Sequence, residues 1–274
     1  MKRILFATDF SESCDNALSY LQAVLEGSEI SVDLIHVYDI PTPVMNAIPE
    51  SAIATLISSR KETTIELLEK MQTEKLDPRQ RGSLYAVYGA YAASDITDMA
   101  RSINADMIVM SLREKYNLLD RIMGSVTAHT ITLSDRPVMV IPFGARYTGI
   151  RNILFPTSIE KIDQIPEKEQ DALDWLMTFW AIFEKPEIHM VHIHEEEPVG
   201  ATEITFRNQP YDEVNFTRSY AKSIEDGLIN FLGANQCDML AFHKPRRPFW
   251  ERIYHHSVTR KLLKESKIPI MIFS

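Results

Sequence analysis

A block near the start of the chain, Ile4-Leu5-Phe6-Ala7-Thr8-Asp9, recurs as Ile153-Leu154-Phe155-Pro156-Thr157-Ser158, an offset of 149 residues. Further along, Asp106-Met107 recurs as Asp238-Met239, Ser125-Val126-Thr127 as Ser257-Val258-Thr259, and Pro137-Val138-Met139 as Pro269-Ile270-Met271, all at an offset of 132. Blocks that repeat in the same order mean two tandem copies of one supersecondary unit. Cutting 274 residues near position 145 leaves two pieces of ordinary domain size, expected at 1–145 and 150–274.

Within the first copy, residues 3–8 form a short apolar run of the kind a strand buried on both faces requires. Ala17, Leu18, Leu21, Val24 and Leu25 recur at helical spacing, and Gly27 stops the helix. Val32–Val37 reads as a second strand, and 50–76 as a long second helix with Ile53, Leu56, Ile57, Leu67, Leu68 and Met71 facing inward. A strand over Leu84–Tyr88, a helix marked by Ile96, Met99, Ala100 and Ile103, a strand over Met107–Met110, a helix over Val126–Leu133 and a strand over Val138–Ile141 complete the copy. Strands alternating with helices predict right-handed crossovers and a parallel sheet covered on both faces. In the second copy, Pro166 is expected at the first helical position, before the stripe Leu173, Leu176, Phe179, Trp180 and Phe183. His192-Ile193 matches His36-Val37 at an offset of 156, which then falls to 132, so 24 residues are missing and the long second helix is deleted. Thr202–Phe206 and Val214–Tyr220 alternate around Asn208-Gln209-Pro210 and predict a hairpin arm.

The net charge of −9 disfavours non-specific binding to nucleic acid or anionic lipid. The two cysteines, Cys14 and Cys237, are too few and too distant for a thiolate metal cluster or a disulfide framework. No apolar run approaches the ~20 residues that span a bilayer. The start, Met-Lys-Arg-Ile-Leu-Phe-Ala-Thr-Asp, has an acid at position 9 and no signal-peptide apolar region. The expectation is a soluble, cytoplasmic protein with no membrane or nucleic-acid partner.

Four blocks taken together resemble the universal stress protein (UspA-like) family in a tandem two-domain form: I-L-F-A-T-D-F-S, A-D-M-I-V-M, G-S-V-T and R-P-V-M-V-I-P. The resemblance implies two tandem five-stranded parallel-sheet domains of adenine nucleotide alpha hydrolase-like, Rossmann-like architecture, with strand order 3-2-1-4-5. It also implies pairing of the last strands of two domains, here as an intramolecular pseudo-dimer, with a homodimer or an unknown protein partner as further assembly. ATP-binding members hold the nucleotide at the carboxyl ends of the strands, where the sheet order reverses; other members bind none.

ATP-binding members carry a loop G-x2-G-x9-G-[ST], in which glycines let backbone N–H groups approach phosphate beside a helix N-terminus. Counting back from Gly124 finds Ser111 and Glu114 at the two earlier positions, so only Gly124-Ser125-Val126 survives. Arg113, Lys115 and Arg121 would offset the charge of Glu114. Asp9 matches the base or ribose anchor and Val37 the apolar wall; the simpler roles are a helix cap for Asp9 and core packing for Val37. The candidate cofactor site, for ATP or another adenine nucleotide, is therefore Asp9, Val37, Ser111, Arg113, Gly124, Ser125 and Val126. In the second copy Asp9 becomes Ser158, and the glycine positions become His243, Arg246 and His256. Ser257 and Val258 retain a helix start where a small anion would rest against Arg246 or Arg247; the simpler reading is a basic loop with Phe249 and Trp250 buried.

His192 and His194 lie two apart on a strand and share a face, and with His243 and His256 they are the candidate metal ligands, Glu195, Glu196 and Glu197 adding oxygen donors. His192 also aligns with His36, which points to a shared structural role. Walker, nucleophile-elbow and H-E-x-x-H patterns are absent. The leading reading is a non-enzymatic stress-response or binding protein with at most a degenerate adenine-nucleotide site in the first copy. The alternatives are an ATP-binding sensor with slow hydrolysis and a metal- or small-anion-binding module in the second copy.

Overall fold

The computed structural model describes residues 2–40, 49–112, 125–157, 165–183, 185–194, 204–207, 214–243 and 268–274. The chain divides into two compact units, Met1–Gly144 and Ala145–Ser274.

In the first unit, β1 (Arg3–Ala7) is buried after its first residue. It leads into α1 (Glu12–Val24), whose buried stripe of Cys14, Ala17, Leu18, Leu21 and Val24 faces the sheet. Gly27 follows at φ +79, a conformation that suits glycine. β2 (Ser31–Tyr38) precedes α2 (Glu50–Lys75), and β3 (Arg81–Tyr88) precedes α3 (Ala92–Ser102). β4 (Met107–Leu112), α4 (Ser125–Leu133) and β5 (Val138–Pro142) close the unit. The strand order is β3-β2-β1-β4-β5, and every pairing is parallel. On α2 the sequence-based stripe is corrected: Thr64, Leu68, Met71 and Gln72 are buried, Leu67 is 44% exposed, and Ile53, Leu56 and Ile57 are only half-buried. Positions 64, 68, 71 and 72 lie on one helical face, and Leu67 is turned about 100° from Leu68.

In the second unit, β6 (Asn152–Thr157) leads to α5 (Glu167–Trp180), whose cap is Pro166; the proline thus stands one residue before the helix, not at its first position. The stripe of Leu173, Leu176, Phe179 and Trp180 is buried as its spacing requires. β7 (Glu187–His194), β8 (Ile204–Arg207), β9 (Val214–Tyr220), α6 (Ile224–Ala234), β10 (Met239–His243) and β11 (Ile270–Phe273) follow. Five parallel strands run β11-β10-β6-β7-β9, the order of the first unit, and β8 is added antiparallel at the outer edge of β9. Among the described residues, the long helix between the second and third parallel strands of the first unit is replaced here by the short strand β8. The expected last helix of this copy, around Ser257 and Val258, lies outside the described residues. No helix among the described residues is long and apolar enough to cross a membrane.

The Asp-Met repeat has a physical cause. At the amino edge of the first unit, Asp106 Oδ2 accepts the backbone N–H groups of Lys2 at 2.6 Å and Arg3 at 3.0 Å. In the second, Asp238 Oδ2 accepts those of Arg151 and Asn152, each at 2.9 Å. One carboxylate in each unit pins the start of the central strand to its neighbour, and an adjacent buried methionine, Met107 or Met239, carries the strand into the core.

Candidate functional site

The strand order reverses at β1, whose neighbours β2 and β4 run to either side; beyond the carboxyl end of such a strand is where open α/β sheets bind ligands. The β1–α1 turn that lines this edge is built by its own side chains. Thr8 extends the sheet with an N–H bond to Ile35 O at 2.9 Å, and its hydroxyl accepts the N–H of Phe10 at 3.0 Å. Phe10 takes φ 60, a left-handed conformation that costs a bulky residue roughly 1 kcal/mol. Its ring packs against His36 with centroids 4.6 Å apart. His36 Nδ1 lies 2.8 Å from Thr8 O; a carbonyl only accepts, so this nitrogen carries the proton.

Asp9 is exposed at the tip of the turn. Its Oδ1 accepts the N–H of Ser11 at 3.0 Å and the thiol of Cys14 at 3.2 Å. Ser11 caps α1, its hydroxyl accepting Cys14 N–H at 3.4 Å. The Cys14 side chain is buried, and its sulfur lies 3.1 Å from Ser111 Oγ at the end of β4. Since the single thiol proton points to Asp9, Ser111 donates to the sulfur. Burial pushes the Cys14 thiol up, opposed first by the Ser111 hydrogen bond, so the group stays a neutral donor. A continuous path of polar contacts therefore joins Asp9 on one strand end to Ser111 on the next.

The other expected residues fall as follows. Ala7 pairs with Ile35, so Val37, two residues on and next to last in β2, stands at the same level as Asp9; it is half-buried. Ser125 opens α4, and Val126 is 38% exposed. Arg113 and Gly124 lie outside the described residues. The β5 end is tied to α1 by the N–H of Gly144, which donates to Asn16 Oδ1 at 2.8 Å.

The corresponding edge of the second unit carries different chemistry. Thr157 Oγ1 donates to Glu169 Oε2 at 2.6 Å. Burial pushes the Glu169 carboxyl up, and the Thr157 hydrogen bond opposes it. Glu169 is the third residue of α5, as Cys14 is of α1, so the acid has moved from the turn to the helix. Ser158, the counterpart of Asp9, lies outside the described residues. His192 Nδ1 lies 3.2 Å from Thr157 O, repeating the bond of His36 to Thr8. The aligned histidines thus share one structural task, which is to hold the end of the central strand. His192 and His194 stack edge to face at 4.3 Å, and His194 lies flat against Tyr220 at 5.2 Å. His243 ends β10, on the other side of β6 from β7, about 10 Å away by strand spacing. Among the described residues no group of three or more His, Cys, Asp or Glu side chains is placed to hold a metal ion, and His256 and Glu195–Glu197 lie outside them. The Cys237 thiol is pushed up to about 12 by burial, which marks it as a packing residue.

Cys14 and Glu169 escaped the reading of the sequence. The signal for them was position: each is third in the helix that follows the repeated strand.

This fold defines a tandem doubly wound α/β protein with a strand-order reversal in each unit. The model of the Universal stress protein family matches residues 1–142, and the chain belongs to that family. It is 28% identical to universal stress protein MJ0577 of Methanocaldococcus jannaschii over 153 residues, 51% of this chain and 94% of that one. Over the whole length, it shares its fold with a universal stress protein from Archaeoglobus fulgidus DSM 4304 at TM-score 0.63 and 12% identity, covering 99% of this chain and 96% of that one. Protein PA1789 from Pseudomonas aeruginosa PAO1 is similar at TM-score 0.59 and 9% identity, covering 100% of this chain and 92% of that one.

Proposed function

We propose that this chain is a tandem universal stress protein that acts by binding, not by catalysis, with one pared-down adenine-nucleotide site in its first unit. Asp9 anchors the base or ribose, Val37 forms the apolar wall, and Ser111, Arg113, Gly124, Ser125 and Val126 bound the phosphate side. The observation that carries this reading is the hold on Asp9: backbone Ser11 and the Cys14 thiol orient its carboxylate, and Cys14 ties it to Ser111. An acid pre-oriented at a strand-order reversal loses little freedom when it accepts a ligand's donor. The second unit has dissolved this arrangement, with Glu169 engaged by Thr157 and His192 by the end of β6. Its role is assembly and partner contact.

Calorimetry with adenine and guanine nucleotides tests the reading. Adenine nucleotides should bind with one site per chain, Asp9→Ala should weaken binding about ten-fold, and Gly124→Trp should abolish it. Binding that survives Gly124→Trp but is lost on altering Ser257 would put the site in the other unit. Phosphate release from ATP above the uncatalysed rate would favour a hydrolysing sensor.

A further inference from the structure

Each proton on the path from Ser111 to Asp9 has a direction, and the directions decide what this edge offers a ligand. The Cys14 sulfur lies beneath, with the residue 3% exposed, while Asp9 is exposed and Ser111 is half-buried near the end of β4. The thiol has one proton, which goes to Asp9 Oδ1 at 3.2 Å. The sulfur accepts in return, from the Ser111 hydroxyl at 3.1 Å and from the backbone N–H of Asp9 at 3.5 Å. Ser111 has a single hydroxyl proton, so with that proton on the sulfur it turns only lone pairs toward a ligand. An ionised carboxylate likewise accepts and never donates.

Asp9 Oδ1 and Ser111 Oγ hydrogen-bond the same sulfur, which holds them within about two hydrogen-bond lengths of each other. A pair of acceptors at that spacing suits a pair of donors on neighbouring atoms. Phosphate oxygens at neutral pH are acceptors, and the exocyclic amine of adenine is a single nitrogen. The adjacent 2′ and 3′ hydroxyls of a ribose are the neighbouring donors of a nucleotide. Ser111 stands where the loop of ATP-binding members begins with glycine, and a glycine has no oxygen to give this contact. The buried thiol belongs with the change, because it gives the added hydroxyl a fixed partner.

We propose that the first unit reads the sugar of its nucleotide: Asp9 and Ser111 accept the two ribose hydroxyls, and Cys14 is the positioning residue that fixes both oxygens and their polarity. This rests on the adenine-nucleotide reading above and narrows the ligand class to ribonucleotides. A deoxy form leaves one acceptor of the pair without its donor after water has been displaced, and a site built to hydrogen-bond a hydroxyl rejects the analogue that lacks it. Cys14 itself stays beneath the pair and acts through Asp9 and Ser111.

Calorimetry on the full chain with ATP and AMP, each beside its 2′-deoxy and 3′-deoxy forms, decides the matter. At least one deoxy form should bind about ten-fold more weakly than the ribonucleotide. In Ser111→Ala, checked for unchanged melting, that gap should fall below about two-fold at one of the two hydroxyls. Cys14→Ala should narrow the gap in the same way, and Cys14→Ser, which can still donate and accept, should restore it. A thiol that served packing alone would shift ribo and deoxy forms equally. Deoxy forms that bind the parent as tightly as ribo forms would overturn this inference and leave the adenine reading standing, and so would a gap that neither Ser111→Ala nor Cys14→Ala changes. No binding by any of these nucleotides would overturn both.

Discussion

Gly89 follows the last residue of β3, and a Cβ there would run into the carboxyl of Asp95 in the first turn of α3. Glycine is required by the close approach of that carboxyl, since any side chain must displace it. Burial pushes the Asp95 carboxyl up, and the neighbouring Asp98 adds to the effect. An acid whose folded pKa is raised favours the folded state when protonated; that contribution is complete below the ordinary carboxylate range and is lost as pH climbs through the raised value. Two outcomes are expected from urea unfolding. Gly89→Ala should cost about 1–3 kcal/mol, and adding Asp95→Ala should recover much of the loss. Asp95→Asn should gain on the parent between pH 3 and pH 7, because it no longer carries the charge that burial penalises. A constant difference across that window would show that Asp95 titrates normally. In the sequence Cys14, a thiol two residues into a helix, reads as core, and only its contacts with Asp9 and Ser111 reveal a second duty.

Between elements, each unit joins the end of its central strand to the helix that follows by one side-chain contact, and the two contacts use different chemistry. In the first unit a neutral thiol donates to an exposed carboxylate; in the second, the hydroxyl of Thr157 donates to the half-buried carboxyl of Glu169. Removing the donor from a half-buried acid takes away part of its compensation for lost hydration. Thr157→Val, nearly the same shape, should therefore cost about 1–3 kcal/mol at neutral pH. The loss should shrink toward pH 4, where the raised pKa of Glu169 lets the folded state hold it protonated. Equal losses at both pH values, measured by denaturant unfolding, would mean that the hydroxyl serves packing alone. A neighbouring comparison comes from α2, whose periodic apolar residues predicted more burial than the helix achieves. Leu68 is fully buried and Leu67 is not, since the two point about 100° apart around the helix and only Leu68 lies on the covered face.

For the whole molecule, the tandem repeat carries the expectation that two units of one chain stand in for two subunits of a family homodimer. The final strands Val138–Pro142 and Ile270–Phe273 are apolar throughout apart from Pro142, and an uncovered apolar edge invites pairing. A chain cut after Gly144 should then self-associate, while the full chain shows a smaller tendency to do so. Native mass spectrometry at matched concentrations reads the difference. A truncated unit that stays monomeric with unchanged melting would set the pseudo-dimer aside.

What the amino-acid order determined by itself was periodic and local. Alternating apolar runs set the parallel sheet, repeated blocks set two copies and the same strand order in each, and the falling offset announced the missing helix. The antiparallel pairing of β8 and β9 was legible in the same way, from alternation on either side of Asn208-Gln209-Pro210 in the sequence. Tertiary structure alone decided which side chains meet. Asp9, Cys14 and Ser111 are separated by up to 102 residues in the chain, yet they come together because β1 and β4 are neighbours and α1 crosses above them. The histidines went the other way. Their clustering at one sheet edge is visible in the sequence, but strand order places β6 between His192 and His243. Periodicity records which face a residue occupies, whereas a contact between distant positions depends on strand order and on the approach of backbones, and neither is written in any local stretch of the chain.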